Sequence, residues 1–273
     1  MTHSPPNQPD PGVLAVVCPT CRGALHITDT HVRCEGCAWR RACDRGYLPL
    51  CDGSTAPVRG FGPRLMHWRP LARVYERVWR PTFVSIASRQ RPDLDAEQAW
   101  VEAHLAPAVG GHVVDLSCGP GLMARRFAAS GRYASVCGVD LSEAMLDELV
   151  ASCRAEGTSV RAILADVSHL PFSDGAIAGA HAGAALHLWP DPLAALIEVG
   201  RVLRPGGVFV ASTFVHPERY GIRHAAENVF ERLTETRFYD HEELQSLCAA
   251  AGLVGYEERR QSAWVVFSVR AVG

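Results

Sequence analysis

Four cysteines in this chain have the spacing of a metal site. Cys18-Pro-Thr-Cys21 and Cys34-Glu-Gly-Cys37 are two C-x2-C pairs with twelve residues between them. Each pair brings two sulfurs within reach of one ion, and four thiolates complete tetrahedral zinc with no position left for water or substrate. The expectation is a structural zinc ribbon, stapling a segment too short to build a core of its own. Four buried or redox-active thiols are the competing reading; Cys43 and Cys51 lie just outside the pattern and are read as bystanders, Cys43 as a ligand being the lesser alternative.

A second set of residues suits a nucleotide-like ligand. Residues 113–122 read VVDLSCGPGL, an apolar run into Asp115, then Ser117, Gly119, Pro120 and Gly121. Glycines let the backbone turn sharply and let a ligand approach the amide N–H groups at a helix start. Pro120 suits a first helical position, where its missing N–H would have had no partner. Gly119 to Ala124 also fits the dinucleotide fingerprint G-x-G-x-x-G/A, a loose pattern. Asp140 follows 21 residues after Gly119, where a carboxylate accepts both hydroxyls of an adenosine ribose. Asp166, His181 and His187 come later in the chain, at the ends of further apolar runs.

The elements that must hold these residues follow from periodicity. Strands are expected at the start of residues 113–122 and near 134–140, 160–164, 176–182 and 208–214, with helices between them. Ser142 is the candidate cap of the helix after the second strand, and Arg204-Pro205-Gly206-Gly207 is expected to be a turn before the fifth. Such alternation gives a parallel sheet with helices on both faces. Ligands then sit beyond the carboxyl ends of the strands, where Gly119, Asp140, Asp166 and His181 converge.

Between the cysteines and this sheet, residues 59–91 hold eight arginines and a single acid, Glu76. Arg69, Arg73, Arg77 and Arg80 recur at helical spacing, while Leu71, Val74, Val78 and Trp79 suggest an apolar face, and Pro81 is expected to kink or end the helix. The stripe reads either as a solvated face balanced by acids such as Glu97 and Glu102 or as an anion-binding one. The domain reading is a disordered tail over 1–12, a zinc ribbon over 13–56, a helical cap or substrate segment over 57–106 and an α/β domain over 107–273. An insert at about 215–240, containing His216, Tyr220, His224 and Phe230, is expected to act as a lid with Trp68, Tyr75, Trp79 and Phe83.

Composition bounds the function. The chain has 273 residues, a formal net charge of -2 and no lysine, which excludes a lysine Schiff base or a P-loop lysine. Global charge offers nucleic acid no attraction. The proline-rich start lacks the charged and apolar regions of a secretion signal, and no apolar run is long enough to span a membrane. Cytoplasm is the expected compartment, with ten cysteines used as thiols or metal ligands.

A nicotinamide enzyme would account for Gly119, Gly121, Ala124 and Asp140, but leaves Asp115, Asp166 and the Arg-Pro-Gly-Gly segment unexplained. VVDLSCGPG, GVDLSEAML, ADVSHLPF and RVLRPGGVFV together resemble, in order, four motifs of class I S-adenosylmethionine methyltransferases. The resemblance is closer to a zinc-ribbon-bearing branch that includes uncharacterised plant plastid methyltransferases and, more distantly, bacterial rRNA guanine methyltransferases. It implies a Rossmann-like α/β sheet with a small N-terminal zinc ribbon. It also implies that Asp115 orients the loop and the methionine ammonium, and that the backbone of Gly119 and Gly121 contacts the amino-acid end of the cofactor. Asp140 would hold the ribose and Asp166 the adenine amino group, with Leu141, Met145 and Val167 around the ring. Ser117 departs from the family, standing where the first glycine usually does.

Because S-adenosylmethionine carries an activated methyl, the protein must chiefly align a nucleophile and exclude water. His181 and His187, on the loop after the fourth strand, are the candidate bases; Tyr75, Trp79, Arg69, Arg73 and Tyr239 are the candidate substrate contacts, with His241 weaker. The favoured acceptor is a small molecule, an anionic one fitting the arginines. RNA, gripped by ribbon and stripe, is the alternative, and a protein using the sulfonium without methyl transfer, or a zinc-dependent interaction module, is a third. Neither membrane partner nor oligomeric state is indicated.

Overall fold

The computed structural model describes residues 14–51, 67–88, 93–216 and 236–273. The expected tail over 1–12 and most of the expected lid, including Tyr220, His224 and Phe230, lie outside the described residues. So do the side chains of Arg77 and Trp79.

Short polar strands open the chain. β1 (Leu25–Ile27), β2 (His31–Cys34) and β3 (Arg40–Ala42) form a three-stranded antiparallel sheet that carries the cysteine pairs. This sheet is too small for a core, and its apolar side chains are shared with the rest of the molecule. Leu14, Val16 and Trp39 join Val114, Leu116, Ile163 and Phe172 in one cluster. The chain then donates β4 (Leu48–Pro49) to the large sheet, so the stretch expected to be a ribbon supplies that sheet's edge strand.

A helical cap follows: α1 (Arg69–Val74), a π-helical turn over Tyr75–Trp79 and α2 (Arg80–Ser88). Pro81 does not end the helix. It has no N–H for the carbonyl four residues back, and the ladder opens just before it, where the Arg80 N–H pairs with the Tyr75 carbonyl five residues away. The extra residue shifts the phase of the inward face. Leu71 and Ala72 are buried before the turn and Val84 after it, whereas Val74 and Val78, expected on the apolar face, are exposed. Glu76 and Arg80 thereby turn inward.

The main domain alternates strands and helices as expected: α3 (Leu94–His104), β5 (His112–Leu116), α4 (Leu122–Ala129), β6 (Ser135–Asp140), α5 (Glu143–Glu156), β7 (Arg161–Leu164), β8 (Ile177–Gly183), α6 (Pro192–Val202), β9 (Leu203–Phe214), α7 (His241–Ala250), β10 (Leu253–Gln261) and β11 (Trp264–Ala271). The sheet order is β10-β11-β9-β8-β5-β6-β7-β4, with every pairing parallel except the antiparallel β9–β11 and β11–β10, so that β11 alone runs against the other strands. β5 to β7 build outward one way and β8 and β9 the other, so the direction reverses between β5 and β8. Ligands of such sheets bind at that switch point, beyond the carboxyl ends. Arg204-Pro205-Gly206-Gly207 is no free turn. It lies within β9 as an irregularity, where the pairing with β8 shifts between Ile177 and Gly179.

Candidate active site

The loop joining β5 to α4 has the shape its small residues permit. Ser117, Gly119 and Gly121 all have positive φ, at 50°, 55° and 86°. Only glycine enters this region freely, so Ser117 is strained, and its hydroxyl offsets part of that by accepting from Trp189 Nε1 at 3.0 Å. Gly121 has a second constraint: a Cβ there would stand 2.2 Å from Leu149 Cδ1 of α5.

Asp115, buried at the end of β5, ties three elements together. One oxygen accepts from the Ala124 N–H of α4 at 3.1 Å, and the other meets His181 Nδ1, at the end of β8, at 2.7 Å. A carboxylate on one ring nitrogen fixes the ring and leaves Nε2 to face elsewhere. That nitrogen lies beside Gly183, where an added Cβ would stand 3.3 Å from it.

Asp140 closes the loop from the neighbouring strand. Its oxygens accept from the Gly119 N–H and the Ser142 N–H, each at 2.8 Å. Burial pushes its pKa up to about 6 against the opposing pull of those N–H groups. Each carboxylate oxygen has two lone pairs, so acceptor capacity remains for hydroxyls. Ser142 caps α5 as expected, accepting from the Met145 N–H. Asp166 accepts from the Ser168 N–H at 2.8 Å just beyond β7. Val167 and Met145 are buried and Leu141 half-buried. Met145 packs with Ala72, Ala144 and Tyr75, so the cap rests on the first turn of α5.

The cap roofs this loop. Tyr75 lies over Gly119, with its Cε1 3.6 Å from where a Cβ would be. Glu76 makes a two-pronged ion pair with Arg125 of α4, at 3.1 and 2.9 Å, and Arg125 also bonds the Pro120 carbonyl and Glu156. Arg80 pairs with Glu97 of α3 at 3.1 Å, both nearly buried. Beneath lies a cleft lined by Tyr75, Glu76 and Arg80 of the cap, Asp115 at the end of β5, Ser117 of the loop, and His181 and Gly183 of β8. An oriented imidazole and a guanidinium therefore face one space, whereas Gly119, Gly121, Asp140 and Asp166 lie outside this lining.

Other anticipated residues lie elsewhere. His187 is buried between Phe83 and Phe214, 3.5 Å from Thr213 Oγ1 and outside the cleft lining, and burial lowers its pKa to about 3, which keeps it neutral. Tyr239 is fully buried with its hydroxyl donating to the Leu186 carbonyl, so it supports the loop after β8. His241 is half-exposed and pairs with Glu258. Arg69 is exposed and paired with Asp147 at 2.9 Å, and Arg73 is exposed; neither lines the cleft. Arg80, Glu76, Glu97, Arg125 and Trp189 were not anticipated as site residues. Their partners are distant in sequence; Arg80 carried a signal as part of the stripe, and Glu97 as one of the acids expected to balance it.

Away from the cleft, the sulfurs of Cys18, Cys21, Cys34 and Cys37 all lie within 4.8 Å of one another, at 3.7 Å for Cys18 and Cys37 and 3.4 Å for Cys21 and Cys34. Tetrahedral Zn–S bonds of about 2.3 Å place sulfurs at about 3.8 Å, so the donor set fits that ion. Cys43 instead donates to the Tyr47 carbonyl.

Comparison with known proteins adds independent findings. Residues 113–207 match the family model of a methyltransferase domain. Two uncharacterised chloroplastic methyltransferases of Arabidopsis thaliana are similar: one is 38% identical over 72% of this chain and 56% of its own length, the other 35% identical over 93% and 70%. The chain thus spans little more than half of the first. Among solved structures, a Haemonchus contortus phosphoethanolamine N-methyltransferase bound to phosphomonomethylethanolamine and S-adenosylhomocysteine superposes with a TM-score of 0.58, at 13% identity, over 73% of this chain and 59% of that one, a likeness of fold. The expected cytoplasmic location does not stand, because both Arabidopsis relatives are chloroplastic. Composition and cysteine usage do not distinguish one aqueous compartment from another. No helix among the described residues is long and apolar enough to cross a membrane.

Proposed function

The chain belongs to the class I S-adenosylmethionine-dependent methyltransferases, and from that premise we propose that it methylates a small molecule held in the cleft beneath the cap. The cofactor supplies a methyl group already activated on sulfonium. The chain's own residues supply position and proton handling. Gly119 and Gly121 keep the loop free of side chains, Asp140 takes the ribose hydroxyls, Asp166 meets the adenine edge with Leu141, Met145 and Val167 about the ring, and Tyr75 excludes water. His181, oriented by Asp115, takes the acceptor's proton at Nε2 where the acceptor has one to lose.

The disposition of the arginines carries the small-molecule reading. Arg69 pairs with Asp147 and Arg80 is turned inward to Glu97, so two of the four arginines of the stripe are engaged by acids of this chain rather than left to a polynucleotide backbone. The cysteine cluster is assigned to one structural zinc, with no open position for chemistry.

The test follows release of S-adenosylhomocysteine when the protein meets S-adenosylmethionine and a cell extract. Turnover is expected to survive ribonuclease and to pass with the low-molecular-mass fraction. Micromolar binding of structured RNA, weakening by about 0.7–0.9 log units per phosphate per log unit of salt and lost progressively in Arg69→Ala, Arg73→Ala and Arg77→Ala, would replace the small molecule with RNA.

A further inference from the structure

Arg80 is the arginine that the cap turns into the cleft. Its side chain is 13% exposed, and Nη2 donates to Glu97 Oε1 at 3.1 Å. Glu97, 7% exposed, is fixed from two other sides: Oε1 accepts from Ser212 Oγ at 3.0 Å and Oε2 from Trp264 Nε1 at 3.1 Å. Ser212 Oγ in turn accepts from the N–H of Ala184, next to Gly183. The guanidinium is therefore held against the ends of β8 and β9 by a buried network that spans α3, β9 and β11.

A guanidinium has five N–H donors. Glu97 takes one, and among the described residues no other hydrogen-bond partner meets the rest. Arg80 lines the cleft, with Nη2 3.9 Å from where a Cβ on Gly183 would stand. The nearby acids are committed: Asp115 to His181 and the Ala124 N–H, Glu76 to Arg125. A tether between cap and sheet needs a single donor. The remaining donors border the cleft, within reach of an anionic ligand that enters it.

We propose that Arg80 is the carboxylate anchor of the cleft, receiving a planar two-oxygen anion from one of the reactants, with Glu97 as its positioning residue. The matching fork geometry favours carboxylate, and the assignment of that anion to a reactant rests on the cleft being the methyl-transfer site. Two sources share the chemistry: the amino-acid end of the cofactor, and an acidic acceptor.

Three full-length variants separate them: Arg80→Met, Arg80→Lys, which keeps charge and stem but loses the fork, and Arg73→Met as an exposed control on the same cap. Thermal unfolding establishes that each is folded, and Arg80→Lys decides the matter if Arg80→Met is not. Calorimetric titrations use S-adenosylhomocysteine and 5′-methylthioadenosine, the same nucleoside without the amino-acid end. Malonate is titrated alone and with the nucleoside as a simple carboxylate probe. If the anchor takes the cofactor, Arg80→Met weakens S-adenosylhomocysteine about tenfold or more, Arg80→Lys less, and methylthioadenosine is unaffected. If it takes the acceptor, S-adenosylhomocysteine binds all variants alike, and thermal protection by malonate is lost in Arg80→Met and reduced in Arg80→Lys. Folded variants that match the native protein toward all three probes overturn the anchor. A native protein that binds no S-adenosylhomocysteine overturns the methyl-transfer reading of the cleft instead, and malonate alone then decides the anchor.

Discussion

Asp140 stands between two demands. Burial lifts its pKa to about 6, although the N–H groups of Ser142 and Gly119 favour the charged form. In the empty protein, the stability this raised value contributes is complete below the ordinary carboxyl range and is lost as pH rises through about 6. Ribose hydroxyls donate to the ionised carboxylate and reverse that preference, so cofactor binding should be level above pH 6 and weaken toward tenfold per unit below it. Calorimetry between pH 5 and 8 checks this against Asp140→Asn, which should bind weakly with a flat profile; a native profile equally flat below pH 6 would remove Asp140 from the ribose site. His187 has the opposite sign. Its pKa is lowered to about 3 by burial, so the stability of keeping it neutral is present above about 6.5 and lost as pH falls toward 3, by up to about 1.4 kcal/mol per unit. His187→Leu should therefore flatten the acid side of a plot of Tm against pH, and a slope unchanged from the native protein would mean that His187 protonates in place.

Elements show where sequence reading succeeds and where it stops. The step from β5 through the glycine loop to α4 was legible because its signals are local, β-branched residues and glycines at turning points; Pro120, expected at the first helical position, instead lies in the turn, two residues before α4 begins at Leu122 behind its N-cap Gly121. A Gly121→Ala substitution tests that loop. Its φ of 86° disfavours any side chain, and the new methyl would meet Leu149 Cδ1 at 2.2 Å. Strain and overpacking together should cost on the order of 2–4 kcal/mol in urea unfolding, with Leu149→Ala in the same chain relieving only the contact. A loss under about 0.5 kcal/mol would mean the loop has another shape. The cap was legible as a helix, but not its inward face. A 3.6-residue period puts the arginines in one stripe, whereas the extra residue of the π turn shifts the phase and sends Glu76 and Arg80 inward. Their partners Arg125 and Glu97 lie on other helices, so no spacing in the chain announces the pairs. The two-residue β4 is equally silent, being too short for any period.

Across the whole molecule the cysteine-bearing segment is built in rather than appended. β4 completes the large sheet beside β7, Val16 bridges Phe172, Arg161 donates to the Leu14 carbonyl at 2.8 Å, and Leu14 and Trp39 sit in the main core. Arg45 pairs with Glu143 and Asp147 on α5, the helix that starts just after Asp140, and Arg69 of the cap meets the same Asp147. Exposed pairs like these add little stability by themselves, but with β4 and the shared core they make α5 a wall common to all three parts. Zinc bound by the four thiolates would thus stabilise more than the small sheet, because the free energy of filling the site is free energy of folding for whatever the site holds in place. Purified protein should carry about one zinc per chain, and Cys34→Ala should lose it. Loss of the metal should lower the Tm of the main cooperative transition and weaken S-adenosylhomocysteine, with the cleft residues untouched. A main transition and an affinity that both survive metal loss unchanged would make the ribbon an independent attachment, its strand β4 dispensable to the sheet it borders.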